Sequence, residues 1–226
     1  MKITDLLDEK SIRLNAAASS KTEALNQIIN LINQTGNITN KDEYKEIVFK
    51  REEQGTTGIG EGIAIPHGKS NKVKKASLAA MVIPNGVDYE SLDNKKVNLM
   101  FLIAAPETKD NIHLEVLSRL SALLMDEKFR EKLRRSKTPK EFLNYIDEAE
   151  NAKYGEEKAV DSVIADTAQT ELNKTGTGEY EILCITSCPT GIAHTYMAAE
   201  ALEKAGQETN HKIKVETQGQ SGVKNQ

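Results

Sequence analysis

The chain has 226 residues, 38% hydrophobic and 28% charged, enough for one large core or for one domain and part of a second. No apolar run approaches the roughly 20 residues that span a bilayer, and the start, MKITDLLDEKSIRLN, lacks the basic end and apolar stretch of a signal peptide, so a cytoplasmic protein is expected. The net charge of −4, with both signs mixed along the chain, argues against nucleic acid as a partner, and two cysteines, Cys184 and Cys188, are too few for a disulfide framework or a four-cysteine zinc site.

Ser20 with Glu23 has the pattern of a capping box, and Ala24, Leu25, Ile28, Ile29 and Ile32 behind it follow helical spacing up to Gly36. Asn40 with Glu43 marks a second helix start, leading through Tyr44, Ile47 and Val48 to Arg51. The glycine-rich stretch GTTGIGEG follows, then a short strand-like run, IAIPH. Further strands are expected at 76–83 and 97–105. The second is almost wholly apolar and should be covered on both faces. Leu114, Leu117, Leu120, Leu123 and Leu124 give a helix from His113 to Met125, and Thr138-Pro139-Lys140-Glu141 starts another. Strands interleaved with helices imply an α/β fold with helices on a mixed sheet.

Near Glu148 the composition changes. The stretch to Glu179 is polar, ends in Gly and Thr, and reads as a linker with a transient helix at 155–170. Order returns with the strand YEILCITS, the loop CPTGIAHT, a helix from Met197 to Gly206 and the strand HKIKVE, a βαβ unit with a right-handed crossover. One such unit does not bury both faces of its sheet, so this segment is expected to be the first part of a domain continuing beyond Gln226.

Two places have the residues for phosphoryl chemistry. His67 ends a short strand after a glycine-rich loop and Pro66. Neutral imidazole is a nucleophile toward phosphorus, and glycines such as Gly62 let backbone N–H groups approach phosphate oxygens. Read alone, His67 is more often a turn that happens to contain a histidine, and His113 and Arg51 are surface residues at helix ends. GIGEG does not fit the dinucleotide spacing G-x-G-x-x-G and follows a helix. Cys188 lies between a strand and a helix, where N–H groups at a helix start lower a thiol pKa and bind phosphate, with Gly191 and the hydroxyls of Thr190 and Thr195 nearby in sequence. Cys184, inside the strand, reads as a buried small residue. The spacing C-x5-H-T is that of a phosphatase loop, but His194 stands where the phosphate-gripping Arg would be. The histidines are scattered and none pairs with Cys at zinc spacing, so no metal and no cofactor is expected.

The segment KREEQGTTGIGEGIAIPHG, with the later NIHLEVLSRLS, resembles the enzyme IIA domain of the fructose–mannitol class of the phosphoenolpyruvate-dependent sugar phosphotransferase system. CPTGIAHTYMAAEALE with IKVETQGQSG resembles the start of a fructose-type enzyme IIB domain. The resemblance implies a IIA domain of mixed sheet and helices over 1–148, a linker over 149–178, and over 179–226 the first part of a parallel-sheet α/β IIB domain. It implies that His67 takes phosphate from the carrier HPr, with His113 and Arg51 beside it. Cys188 then receives the phosphate, and a membrane IIC domain passes it to a sugar, with fructose the sugar that the fructose-type motif implies. The chain would thus work in the cytoplasm against the inner face of the membrane. The other reading that the same residues allow is a regulatory module that signals through phosphorylation of His67 without transporting sugar.

Overall fold

The computed structural model describes residues 2–107, 112–154, 182–187, 195, 198–199, 201–203, 205–206, 211–219 and 222–224. They fall into two compact units, Met1–Ile146 and Asp147–Gln226. The expected linker helix at 155–170 lies outside the described residues.

The first unit opens with a short 3-10 turn, Ile3–Asp5, and runs through β1 (Leu7–Arg13), α1 (Lys21–Asn33), α2 (Lys41–Glu53), β2 (Gly58–Gly60), β3 (Ile63–Ala64), β4 (His67–Ser70), β5 (Ser77–Val87), β6 (Val97–Pro106), α3 (Ile112–Leu124) and α4 (Glu127–Arg135) into the first half of α5 (Pro139–Tyr154). Asn40 caps α2 by accepting from the Glu43 N–H at 3.2 Å. Ser20 caps α1 in the same way, but the expected return bond of a capping box is displaced by one residue. The Glu23 carboxylate accepts from the N–H and hydroxyl of Ser19, not from Ser20. Gly36 follows α1 with φ +75, the left-handed conformation that ends a helix.

The sheet is mixed, in the order β1-β5-β6-β3-β2, with β4 also on β6. Its centre is β6, antiparallel to β5 and parallel to β3 and β4. Both faces of β6 are covered. Met100, Leu102 and Ala104 join the cluster formed with Leu25, Ile28 and Ile32 of α1 and Tyr44 and Val48 of α2. On the opposite face Phe101 meets Phe142 of α5, ring centroids 5.9 Å apart. Two-sided burial is why the run VNLMFLIAA shows no polar alternation.

β3 and β4 lie end to end on the same side of β6. The register does not change between them: Ile63 pairs with Leu99, Ala64 with Met100, His67 with Ile103 and Ser70 with Pro106. They are one line of strand interrupted at Ile65–Pro66, where proline has no N–H for the ladder. The Ile65 N–H turns instead to the Thr57 carbonyl at 3.0 Å, while the Pro66 carbonyl still accepts from Ile103 at 3.0 Å.

Two phenols are sealed in this unit. Burial pushes Tyr44 far above its ordinary value, and burial followed by the neighbouring Glu52 charge does the same to Tyr89. The unfolded chain releases these protons near pH ~10, whereas the folded chain keeps them. Stability is therefore unaffected below that pH and falls above it, by up to about 1.4 kcal/mol per pH unit for each phenol. The urea midpoint is expected to drop steeply above about pH 10. A midpoint that stayed flat through that range would show both phenols open to water.

In the second unit β7 (Ile182–Ser187) runs parallel to β8 (Ile213–Gly219), and β9 (Gly222–Lys224) returns antiparallel to β8. The described residues from 195 to 206 are helical.

Candidate functional site

The site begins with a missing side chain. A Cβ on Gly68 would stand 3.1 Å from both Tyr44 Cε2 and Val48 Cγ2, so glycine is what lets α2 settle on β4. Tyr44 reaches further and donates its hydroxyl to the Ile103 carbonyl at 3.2 Å. Tyr44, Val48 and Arg51 recur at helical spacing, so the stripe that packs on the strand delivers Arg51 one turn beyond. Gly68 and Ala104 pair in register and share the α2 face. His67, one residue earlier, belongs by alternation to the opposite face, and Arg51 reaches it past the edge of β4. Among the described residues β4 pairs with β6 alone, which leaves His67 half-buried. Replacing Gly68 with Val is expected to cost about 1–3 kcal/mol by overpacking and to lift α2. A urea midpoint equal to that of the natural chain would remove Gly68 from this account.

The imidazole is held at both nitrogens. Nδ1 lies 2.9 Å from the Ile65 carbonyl, which only accepts, so Nδ1 carries the proton. Nε2 is then the bare nitrogen, and it accepts from Arg51 Nε at 3.1 Å. A second arm of the guanidinium, Nη1, donates to the Gly55 carbonyl at 3.1 Å. A nucleophilic lone pair thus stands at a strand edge beside a fixed cation, an arrangement suited to receiving a group that brings negative charge.

Gly62 is placed elsewhere. By register it precedes His67 by five residues, about 16 Å of strand. Its carbonyl accepts from Asn98 and Leu99, and a Cβ on it would meet Asn98 Oδ1 at 2.8 Å and Arg134 Nη2 at 2.9 Å. With Glu61 (φ +53) it forms the two-residue turn between β2 and β3, where both central residues need positive φ. Asp93 accepts from the Glu61 N–H at 2.9 Å and Arg134 donates to its carbonyl at 2.6 Å, which holds a non-glycine residue in that conformation. Gly62 therefore shapes the hairpin, five residues of strand before His67.

His113 is the second residue of α3, and its side chain lies outside the described residues. Cys188, Thr190 and Gly191 also lie outside them. Thr195 is described: it is buried, and its carbonyl accepts from the Thr186 hydroxyl at 3.0 Å, tying the helical segment to the end of β7. Cys184 is half-buried in β7, opposite Val215, and is a free thiol. Among the described residues no group of three or more His, Cys, Asp or Glu is placed to hold a metal ion, and no helix is long and apolar enough to cross a membrane.

Residues 5–149 match the family described as phosphoenolpyruvate-dependent sugar phosphotransferase system, EIIA 2, and residues 183–226 match the PTS system, lactose/cellobiose specific IIB subunit. The chain is 40% identical, over 99% of its length, to the fructose-specific EIIABC component of Bacillus subtilis, and spans 34% of that relative. In structure it resembles the nitrogen regulatory protein IIA-Ntr of Neisseria meningitidis, with a TM-score of 0.60 and 30% identity over 64% of this chain and 98% of that one. It also resembles a chain in the complex of mannitol enzyme IIA with phosphorylated enzyme IIB of Escherichia coli, with a TM-score of 0.55 and 27% identity over 62% of this chain and 98% of that one. The chain belongs to the EIIA 2 family of the phosphoenolpyruvate-dependent sugar phosphotransferase system, and it continues past that domain into a segment of the IIB kind.

Proposed function

We propose that the chain is a phosphoryl carrier in sugar uptake, with residues 1–148 as its IIA part and 179–226 as IIB sequence. His67 Nε2 attacks the phosphorus of a phosphohistidine on the HPr carrier. A new N–P bond forms as the donor's breaks, and no proton has to leave Nε2. Nδ1 keeps its proton on the Ile65 carbonyl, which shares the positive charge that develops on the ring. Arg51 Nε gives up its bond to Nε2 as the lone pair attacks, and the guanidinium turns to the arriving phosphoryl oxygens and offsets their charge. The Cys188 thiolate then attacks the same phosphorus, an S–P bond replaces the N–P bond, and the neutral imidazole is restored. Cys188 in turn gives the group to a sugar brought by a membrane IIC permease, which places the chain's work on the cytoplasmic side.

The observation that carries this reading is the Ile65–His67–Arg51 arrangement, which leaves Nε2 as the unprotonated nitrogen next to a guanidinium. Fructose is the sugar favoured, because the fructose-specific relative is 40% identical over both segments, against 33% for a 2-O-alpha-mannosyl-D-glycerate-specific relative over the same span, whereas the lactose/cellobiose description covers only the second. A second reading has support from the likeness to IIA-Ntr: phosphorylation of His67 would serve as a signal. Both readings need His67, and only the relay needs Cys188. The test is to incubate the chain with labelled phosphoenolpyruvate, the first enzyme of the system and HPr, and to map the label. Acid-labile label at His67 followed by label at Cys188 supports the relay. Label that stays on His67 and never reaches Cys188 favours the signal.

A further inference from the structure

We infer that Glu52 is a positioning residue for His67, one that holds the partners of both ring nitrogens from behind the site; this rests on the phosphoryl-carrier reading above. Glu52 follows Arg51 on α2, and adjacent helical residues diverge by about 100°. As Arg51 turns to His67, Glu52 turns inward and is 7% exposed. Its carboxylate accepts from the Thr57 N–H at 2.9 Å, the Thr57 hydroxyl at 2.5 Å and the Tyr89 hydroxyl at 3.3 Å. Lys21, at the start of α1, supplies the opposing charge at 3.1 Å. A buried carboxylate is tolerated only when paired and hydrogen-bonded in this way.

Two routes lead from this carboxylate to the imidazole. Glu52 closes the loop from the end of α2 onto Thr57, and that loop carries the Gly55 carbonyl that fixes Arg51 Nη1. Arg51 Nε then addresses Nε2. On the other route, the Thr57 carbonyl accepts from Ile65 N–H at 3.0 Å, and the Ile65 carbonyl holds Nδ1. The interruption of the strand at Ile65–Pro66 frees that N–H for Thr57. The outer side of the loop borders an open cleft of about 710 Å³ lined by Lys21, Glu52, Gly55 and Thr56, so packing from that side does not hold it. The bonds of Thr57 to Glu52 do, with a longer one from the Thr56 hydroxyl to the Tyr89 carbonyl at 3.4 Å.

The test uses the full chain and reads two things. The first is the pair of nitrogen-15 shifts of the His67 ring at pH ~8, above the ordinary imidazole value. The natural chain is expected to show one protonated and one bare nitrogen. Glu52→Gln and Thr57→Val are expected to draw the two shifts together, as the tautomers exchange, and Thr57→Ser to restore their separation. The second is the rate of label uptake from phosphorylated HPr, expected to fall about tenfold in Glu52→Gln with KM for the donor unchanged, a smaller loss than the roughly 10²-fold of a 1 Å misplacement. Folded Glu52→Gln with natural ring shifts would overturn the inference. So would a Thr57→Ser chain as altered as Thr57→Val. If Glu52→Gln does not fold, the Thr57 pair decides alone. The ring shifts need no phosphate, so absence of label in the natural chain would refute the carrier reading and leave the positioning result standing.

Discussion

Replacing His67 with Ala is expected to abolish uptake of acid-labile label from phosphorylated HPr, down to background. The argument is chemical. The acceptor must present a lone pair that is not protonated, and the Ile65 carbonyl assigns that state to Nε2 by holding the proton on Nδ1. Glutamine at this position could still accept from Arg51, but an amide nitrogen is no nucleophile, so His67→Gln is expected to be as inert as His67→Ala. His113 remains in both variants, and label found there at the natural rate would move the acceptor to α3. The measurement is label per chain after gel separation, with the site mapped by peptide mass.

Replacing Arg51 with Ala is expected to slow both arrival and departure of the phosphoryl group by about 10²-fold, or about 2.7 kcal/mol, comparable to removing one oxyanion donor. The chain should still end up labelled on His67, which separates this variant from the first. Two anchored arms aim the guanidinium, one on Gly55 and one on His67. Arg51→Lys keeps the charge but loses the planar fork, so its rate is expected to fall between the two. Single-turnover kinetics with a labelled donor measure this directly. A natural rate in Arg51→Ala would leave the arginine as no more than a structural cap on the loop.

The parts of the fold that rest on local pattern could be read from the residues. The run 97–105, apolar at every position but Asn98, announces a strand covered on both sides, and Asn40 with Glu43 announces the start of α2. The stripe Tyr44, Val48, Arg51 could be seen at helical spacing. What it packs on could not, because the close approach depends on Gly68. β1 escaped notice since LDEKSIR buries only Leu7, Ser11 and Ile12, with an irregular register between the two apolar residues. α4 escaped because its buried face includes Arg130, whose Nη1 donates to the Leu124 and Met125 carbonyls at the end of α3. An apolar count reads such a face as polar. The Glu52 cluster was invisible for a different reason: Lys21, Thr57 and Tyr89 come from separate elements, and only the folded sheet brings them to one carboxylate. The turn role of Gly62 could not be told from the residues, because a glycine demanded by a turn and a glycine demanded by a ligand look the same in a sequence.

The unbroken register across Ile65 and Pro66 makes the distance between hairpin and histidine a fixed count of residues. Because side chains on a strand alternate with a period of two, one residue gained or lost between Ala64 and His67 would exchange the faces of His67 and Gly68. The imidazole would be driven into the space that Tyr44 and Val48 now fill, and the side of the sheet where Nε2 meets Arg51 would carry a hydrogen atom in its place. The site therefore depends on the length of this stretch as much as on its residues.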